Sequence, residues 1–147
     1  MSSQGERPME SSGSRASADE SGSPRLRVGV VGPSAAGKSL LVAALREAGY
    51  DARHIAQEHS YVPDMWQRIS KPDVLIYLDV SYEVSRQRRP QVTWGPERRV
   101  EEVERLRHAR QHADLIIHTD DLSPAEIQRW VFAFLQEWRG NHERQSR

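Results

Sequence analysis

Apolar and polar residues follow two rhythms along this chain. Leu26–Val31 is a β-branched run held between Pro24 and Gly32, and it predicts a buried strand. Lys38–Ala48 repeats at helical spacing, with Leu41, Ala44, Leu45 and Ala48 on one face and Gly49 as a stop. Arg53–Gln57 predicts a weak second strand, and Asp64–Ile69 a short helix. Asp73–Asp79, "DVLIYLD", is the clearest buried strand. Tyr82–Arg89 predicts a helix that Pro90 ends. Glu97–His112 predicts a longer helix with Val100, Val103 and Leu106 on its apolar side. Asp114–His118, "DLIIH", predicts a fourth strand. Ser123–Trp138 predicts the last helix, whose Ile127, Trp130, Val131, Phe134, Leu135 and Trp138 form a core-facing stripe. Ser123, Pro124 and Glu126 supply its N-cap, a proline at the first helical position and a capping-box carboxylate.

Strands alternating with helices predict an α/β fold, a three-layer sandwich with a mainly parallel sheet. In such sheets ligands bind beyond the carboxyl ends of the strands. The pattern also sets the expected boundaries. Residues 1–24 are rich in Ser, Gly, Glu and Arg and lack aromatic and β-branched residues, which predicts a disordered tail. The stretch "RGNHERQSR" from Arg139 predicts a polar C-terminal tail over 139–147, leaving 25–138 as the folded domain.

Composition removes several classes of function. With 21 basic and 21 acidic residues the formal net charge is +0, so there is no bulk attraction for nucleic acid or an anionic membrane. There is no cysteine, hence no disulfide, thiolate metal site or thiol nucleophile. No apolar run is long enough to span a bilayer, and the N-terminal residues lack the apolar stretch of a signal peptide. The expectation is a cytoplasmic protein.

Candidate chemistry concentrates between the first strand and the first helix. Gly32-Pro33-Ser34-Ala35-Ala36-Gly37-Lys38-Ser39 matches G-x-x-x-x-G-K-[ST] at every fixed position. Gly32 and Gly37 permit a tight turn that gathers backbone N–H groups toward one point. The helix that follows, through Leu40, adds unpaired amides and the positive end of its dipole. Lys38 is a point charge for β- and γ-phosphates. The Ser39 hydroxyl suits Mg²⁺, a hard cation that prefers oxygen. Pro33 stiffens the loop, and Ala35 and Ala36 keep side chains clear. The motif predicts a P-loop nucleoside triphosphate hydrolase fold that binds ATP and Mg²⁺ through residues 32–40. There is no N-K-x-D base-reading motif, which argues against a Ras-type GTPase.

The loop resembles that of the P-loop kinases of nucleosides and nucleotides. Two further segments carry the resemblance. "KPDVLIYLDVSYEVSRQRR", Lys71–Arg89, resembles the strand and first lid residues of thymidylate-kinase-like proteins. That likeness implies that Arg88 is a lid arginine near the ATP phosphates, with Arg86 and Arg89 as neighbours able to substitute. "AQEHSYVPDMWQR", Ala56–Arg68, is more loosely similar to the acceptor-binding region. There Glu58 falls where the family carries an acidic residue near Mg²⁺ and the acceptor. His59 falls where the family has an arginine, and a neutral His does not replace a bidentate Arg on a phosphate. "ADLIIHTDDLSPAEI", Ala113–Ile127, resembles the last strand and helix of the group. By that likeness Thr119, Asp120 and Asp121 border the base; otherwise they form a polar loop ahead of a capped helix.

The expected activity is therefore transfer of the γ-phosphoryl group of Mg·ATP to a nucleoside, nucleotide or other metabolite. Lys38, Glu58 and Arg88 are the expected catalytic residues, and Ser39 and Glu58 the metal ligands. Asp79 ranks second to Glu58 as the metal-side carboxylate, because the resemblance assigns it to a later strand on the other side of the first. Few residues separate Glu58 from Asp73, and Arg89 to Glu97 leaves room only for a small lid. These departures support an alternative, a non-catalytic or weakly hydrolysing nucleotide-binding regulatory module. Trp94 is expected to anchor the lid connection. Glu104, His108 and His112 share one helix face and are expected to form a solvated face with Glu-to-His pairing rather than a zinc site.

Overall fold

The computed structural model describes residues 25–145. The N-terminal segment 1–24 lies outside the described residues. Four strands, β1 (Arg27–Val31), β2 (Asp51–His54), β3 (Val74–Asp79) and β4 (Leu115–His118), pair in the order β2-β1-β3-β4. All three pairings are parallel, with Val28 beside Ala52 and Val74, and Ile76 beside Leu115. Five α-helices connect or follow them: α1 (Lys38–Glu47), α2 (Met65–Ser70), α3 (Tyr82–Arg88), α4 (Pro96–His112) and α5 (Pro124–Gln145).

The sheet is buried on both faces, as parallel sheets are. Val28, Val30, Val74, Ile76, Leu78 and Ile117 point to one side, where Leu41, Val42 and Leu45 of α1 and Ile127, Val131 and Leu135 of α5 cover them. Val31, Leu75 and Tyr77 point to the other side, against Ile55, Trp66 of α2, and Leu106 and Ala109 of α4. The α/β architecture is thus the expected one, with helices on both faces of an all-parallel sheet. β2 and β3 flank β1 on opposite sides. Consecutive connections therefore leave β1 on opposite faces, which opens a crevice at the carboxyl end of that strand.

Four details differ from the pattern reading. β2 begins and ends earlier than Arg53–Gln57, because Gln57–His59 leaves the sheet as a 3-10 turn. The buried side of α4 is Arg99, Glu102, Leu106 and Ala109, whereas Val100 and Val103 are exposed. Two charged residues have displaced two valines because they carry hydrogen bonds that only the interior offers. Trp130 stands out in solvent while Ile127, Val131 and Leu135 carry the stripe of α5. That helix also continues to Gln145, through residues read as a polar tail. Helical propensity suffices there, since "EWRGNHERQ" contains only one glycine and no proline. The capping box forms as expected: Ser123 Oγ accepts from Glu126 N at 3.1 Å, and Glu126 Oε1 accepts from Ser123 N at 2.8 Å. Among the described residues, no helix is long and apolar enough to cross a membrane.

Candidate active site

The segment between β1 and α1 turns at the carboxyl end of the sheet. Gly32 passes so close to β3 that a Cβ there would collide with the carbonyl oxygen of Leu78. Gly37, at φ 97°, occupies the left-handed region and caps α1. Ala35 is also left-handed, at φ 69°, an uncommon conformation for a residue with a side chain. The first helical hydrogen bond runs from Leu41 N to Gly37 O, and the amides before it have no acceptor within the helix.

Lys38 folds back into this turn. Its Nζ donates to Gly32 O, to Pro33 O at 3.1 Å and to Glu58 Oε2 at 2.8 Å. Both members of the ion pair are almost fully buried, at 6% and 4% side-chain exposure. Burial holds the ammonium below its ordinary value, and the Glu58 carboxylate pulls in the opposite direction. Glu58 reaches Lys38 because the 3-10 turn after β2 brings it under the loop. Gln57, fully buried, fixes that turn. Its Nε2 donates to Val62 O and Arg105 O, and its Oε1 accepts from Trp66 N at 2.8 Å. Glu58 Oε1 is buried and has no hydrogen-bond partner. His59 is half exposed, with Nε2 3.7 Å from Glu58 Oε2.

A cleft of about 320 Å³ opens over these groups and is lined by residues 34–40, His54, Glu58, His59, Arg88 and Arg89. His54 is held below its ordinary value by burial and then by the charge of Lys38, so the neutral imidazole is favoured there. Arg88 stands at the flank of the loop. Its Nη1 donates to Ala35 O at 2.8 Å and Thr119 Oγ1 at 3.2 Å, and its Nη2 to Thr119 O at 2.6 Å. It therefore steadies the left-handed Ala35 while lining the cleft. An apolar recess of about 150 Å³ adjoins on the far side of Arg88, lined by Leu40, Leu41, Leu122, Pro124, Ile127 and Gln128 together with Ala35–Gly37.

The structure thus brings together Lys38, Ser39, Glu58 and Arg88. Asp79 is turned elsewhere: its carboxylate accepts from Val80 N at 3.0 Å and meets His118 Nδ1 at 3.1 Å, toward the edge strand β4. Thr119 is buried beneath Arg88, with Oγ1 donating to Asp79 O, and Asp120 accepts from Ser81 N. These residues brace the turns after β3 and β4; the recess is lined farther along, from Leu122 to Gln128. Trp94 is anchored, its carbonyl accepting from Tyr82 Oη at 3.3 Å. On α4, Glu104 pairs with Arg107 rather than with a histidine. His108 instead accepts from Trp66 Nε1 at 3.1 Å and stacks on His112. Among the described residues, no group of three or more His, Asp or Glu is placed to hold a metal ion.

Two residues absent from the sequence reading complete the site. Glu102 Oε2 accepts from Ser34 Oγ at 2.6 Å, and its Oε1 accepts from Ser34 N at 3.3 Å and Arg99 Nε at 3.2 Å. Arg99 also donates to Val80 O at 2.7 Å and Ser34 O at 3.2 Å. Their signal was a charged pair at i, i+3 on a helix with a poor apolar stripe.

The residues fit a magnesium-bound nucleoside triphosphate on two observations. Glu58 Oε1 is an orphaned buried oxygen, and oxygen is the donor that Mg²⁺ takes. Lys38, the exposed Ser39 and Leu40, at the start of α1 where helix amides lack intrahelical acceptors, line the same cleft. No protein-family model and no curated protein matches this chain.

Proposed function

We propose that this protein is a small P-loop nucleotide-binding enzyme of the kinase-like group, which transfers the γ-phosphoryl group of Mg·ATP to a small acceptor. The observation that carries the reading is the buried Lys38–Glu58 pair at the base of a cleft beyond β1, on a strand–loop–helix segment of G-x-x-x-x-G-K-S sequence. Mg·ATP, when bound, supplies an electrophilic phosphorus and a metal that offsets charge on the transferred group. The chain's own part is positioning. The amides of Gly37–Leu40 and the Lys38 ammonium hold phosphate oxygens. The Ser39 hydroxyl and Glu58 carboxylate are the oxygen donors for Mg²⁺. Arg88, at the flank of the loop, offsets negative charge. The apolar recess beside Arg88 takes the base.

A second reading rests on the acceptor side of the cleft. Between the Glu58 turn and β3 there is only the six-residue helix α2, and His59 stands where the resemblance calls for an arginine. This favours a module that binds nucleotide and turns it over slowly.

One experiment separates the readings. Calorimetry with Mg·ATP is combined with phosphate release, with and without a panel of nucleosides and metabolites, for wild type and Lys38→Ala. The expected result is binding by wild type, binding lost in the variant, and turnover that rises with one acceptor class. Binding with no acceptor-dependent turnover would favour the module. Absence of binding by wild type would overturn both.

A further inference from the structure

The geometry points to Arg99 and Glu102 as positioning residues that couple the connection between α3 and α4 to the Gly32–Ser39 loop. The loop's Ser34 is held by three hydrogen bonds from one helix: its N–H and Oγ donate to Glu102, and its carbonyl accepts from Arg99. Neither charged side chain is at the surface; Arg99 is 7% and Glu102 0% exposed. Burying such a pair is costly unless its hydrogen-bonding capacity is used, and here both partners are bonded to each other and to the loop. Arg99 has a third partner, Val80 O, just beyond the end of β3. It also has a fourth, the Trp94 ring, whose centroid lies 5.7 Å from the guanidinium carbon. Trp94 belongs to the connection between α3 and α4 and is fixed in turn by Tyr82.

A continuous chain of contacts therefore runs from Trp94 through Arg99 and Glu102 to Ser34. Neither Arg99 nor Glu102 lines the cleft. Their contribution is to hold Ser34 and, next to it, the left-handed Ala35 in the conformation that faces the cleft. Movement of Trp94 changes what Arg99 can hold, and so changes the order of the loop. The consequence for nucleotide affinity rests on the function proposed above; the coupling itself does not.

The test reads both levels. Amide exchange of Ser34 is followed by NMR in wild type, Glu102→Gln, Trp94→Leu and the double variant, with Leu41 N–H as an internal reference. The non-hydrolysable β,γ-imido analogue of ATP with Mg²⁺ is then titrated into each. Glu102→Gln keeps an acceptor for the Ser34 N–H but removes the charge that strengthens the bond, and is expected to speed Ser34 exchange by about fivefold and leave Leu41 unchanged. Trp94→Leu is expected to act in the same direction from the other end of the chain. Trp94→Phe, which keeps a ring under the guanidinium, is expected to restore protection. The double variant should be non-additive. If Trp94→Leu leaves Ser34 exchange at the wild-type rate, the coupling is overturned. Should Glu102→Gln fail to fold, the Trp94 variants decide alone. Wild type that does not bind the nucleotide analogue overturns the proposed function, while the Ser34 exchange rates still decide the coupling.

Discussion

The two faces of the sheet are built on different principles. One face is closed by α1 and α5 through Leu41, Val42, Leu45, Ile127, Val131 and Leu135, all apolar and all buried. The other is closed by α2 and α4, and there the interior also admits Arg99, Glu102 and Gln57. The first face supplies burial energy. The second spends part of its buried area on holding Ser34 and Glu58 in place. The difference teaches that a helix with a weak apolar stripe can still be a core helix, provided its inward positions are hydrogen-bonded.

Substitutions can break this contrast, the strongest first. Glu102→Ala leaves the Arg99 guanidinium buried without its carboxylate and is expected to cost roughly 3–5 kcal/mol in urea unfolding. Glu104→Ala, two residues away on the same helix but in an exposed pair with Arg107, is expected to cost less than about 1 kcal/mol. Equal effects would show that burial of Glu102 carries no special weight. On the apolar face, Leu135→Ala is expected to cost about 2–5 kcal/mol, whereas Trp130→Ala on the exposed side of the same helix should stay within about 0.5 kcal/mol.

The cap of α5 provides a smaller, pH-dependent test. Bonds from the Ser123 backbone and side chain hold the Glu126 carboxyl below its ordinary 4.5. A carboxyl with a depressed folded value stabilises the protein above its unfolded value, and this contribution is lost as pH falls through the folded one. Ser123→Ala should cost about 1 kcal/mol near neutral pH, as N-caps do. In Glu126→Gln, which removes the titrating group itself, thermal unfolding should depend less on pH below 4.5. An unchanged acid limb would remove the cap from the account. The smallest effect belongs to the outer side of α4: Val103→Ser is expected to change stability by no more than about 0.5 kcal/mol. A larger loss would show that this exposed valine is covered in solution.

The contrast between faces also explains what could be read in advance. The order of elements, the parallel sheet and the loop that carries Lys38 and Ser39 were legible, because β-branched runs, helical spacing and glycine placement are local signals; Glu58 entered only through the resemblance of its segment. α4 was misread because Val100 and Val103 look apolar, and nothing local says that Ser34, far away in sequence, needs Glu102. For Thr119 and Asp120 the sequence left two places open, the border of the base or a polar loop ahead of a capped helix, and their hydrogen bonds go to the neighbouring turns. Such partners are set by tertiary contacts between distant segments, which periodicity does not record. The extension of α5 was missed for a different reason: polar residues were taken for a tail, although a helix with one wet face needs no apolar run.

On the proposed function, the inward fold of Lys38 makes recognition conditional. Its ammonium is already paired with Glu58 and hydrogen-bonded to two loop carbonyls, so an approaching anion must compete with partners that are always at full local concentration. A lone chloride or inorganic phosphate offers too few contacts to win that competition. If the loop binds nucleotide as proposed, a polyphosphate would engage several loop amides at once, and their sum would draw the ammonium outward. The site is thereby expected to act as a filter with a threshold, indifferent to the abundant small anions around it. Titration of ¹⁵N-labelled protein should show shifts at the Gly37–Leu40 amides with tripolyphosphate and none with chloride at the same ionic strength.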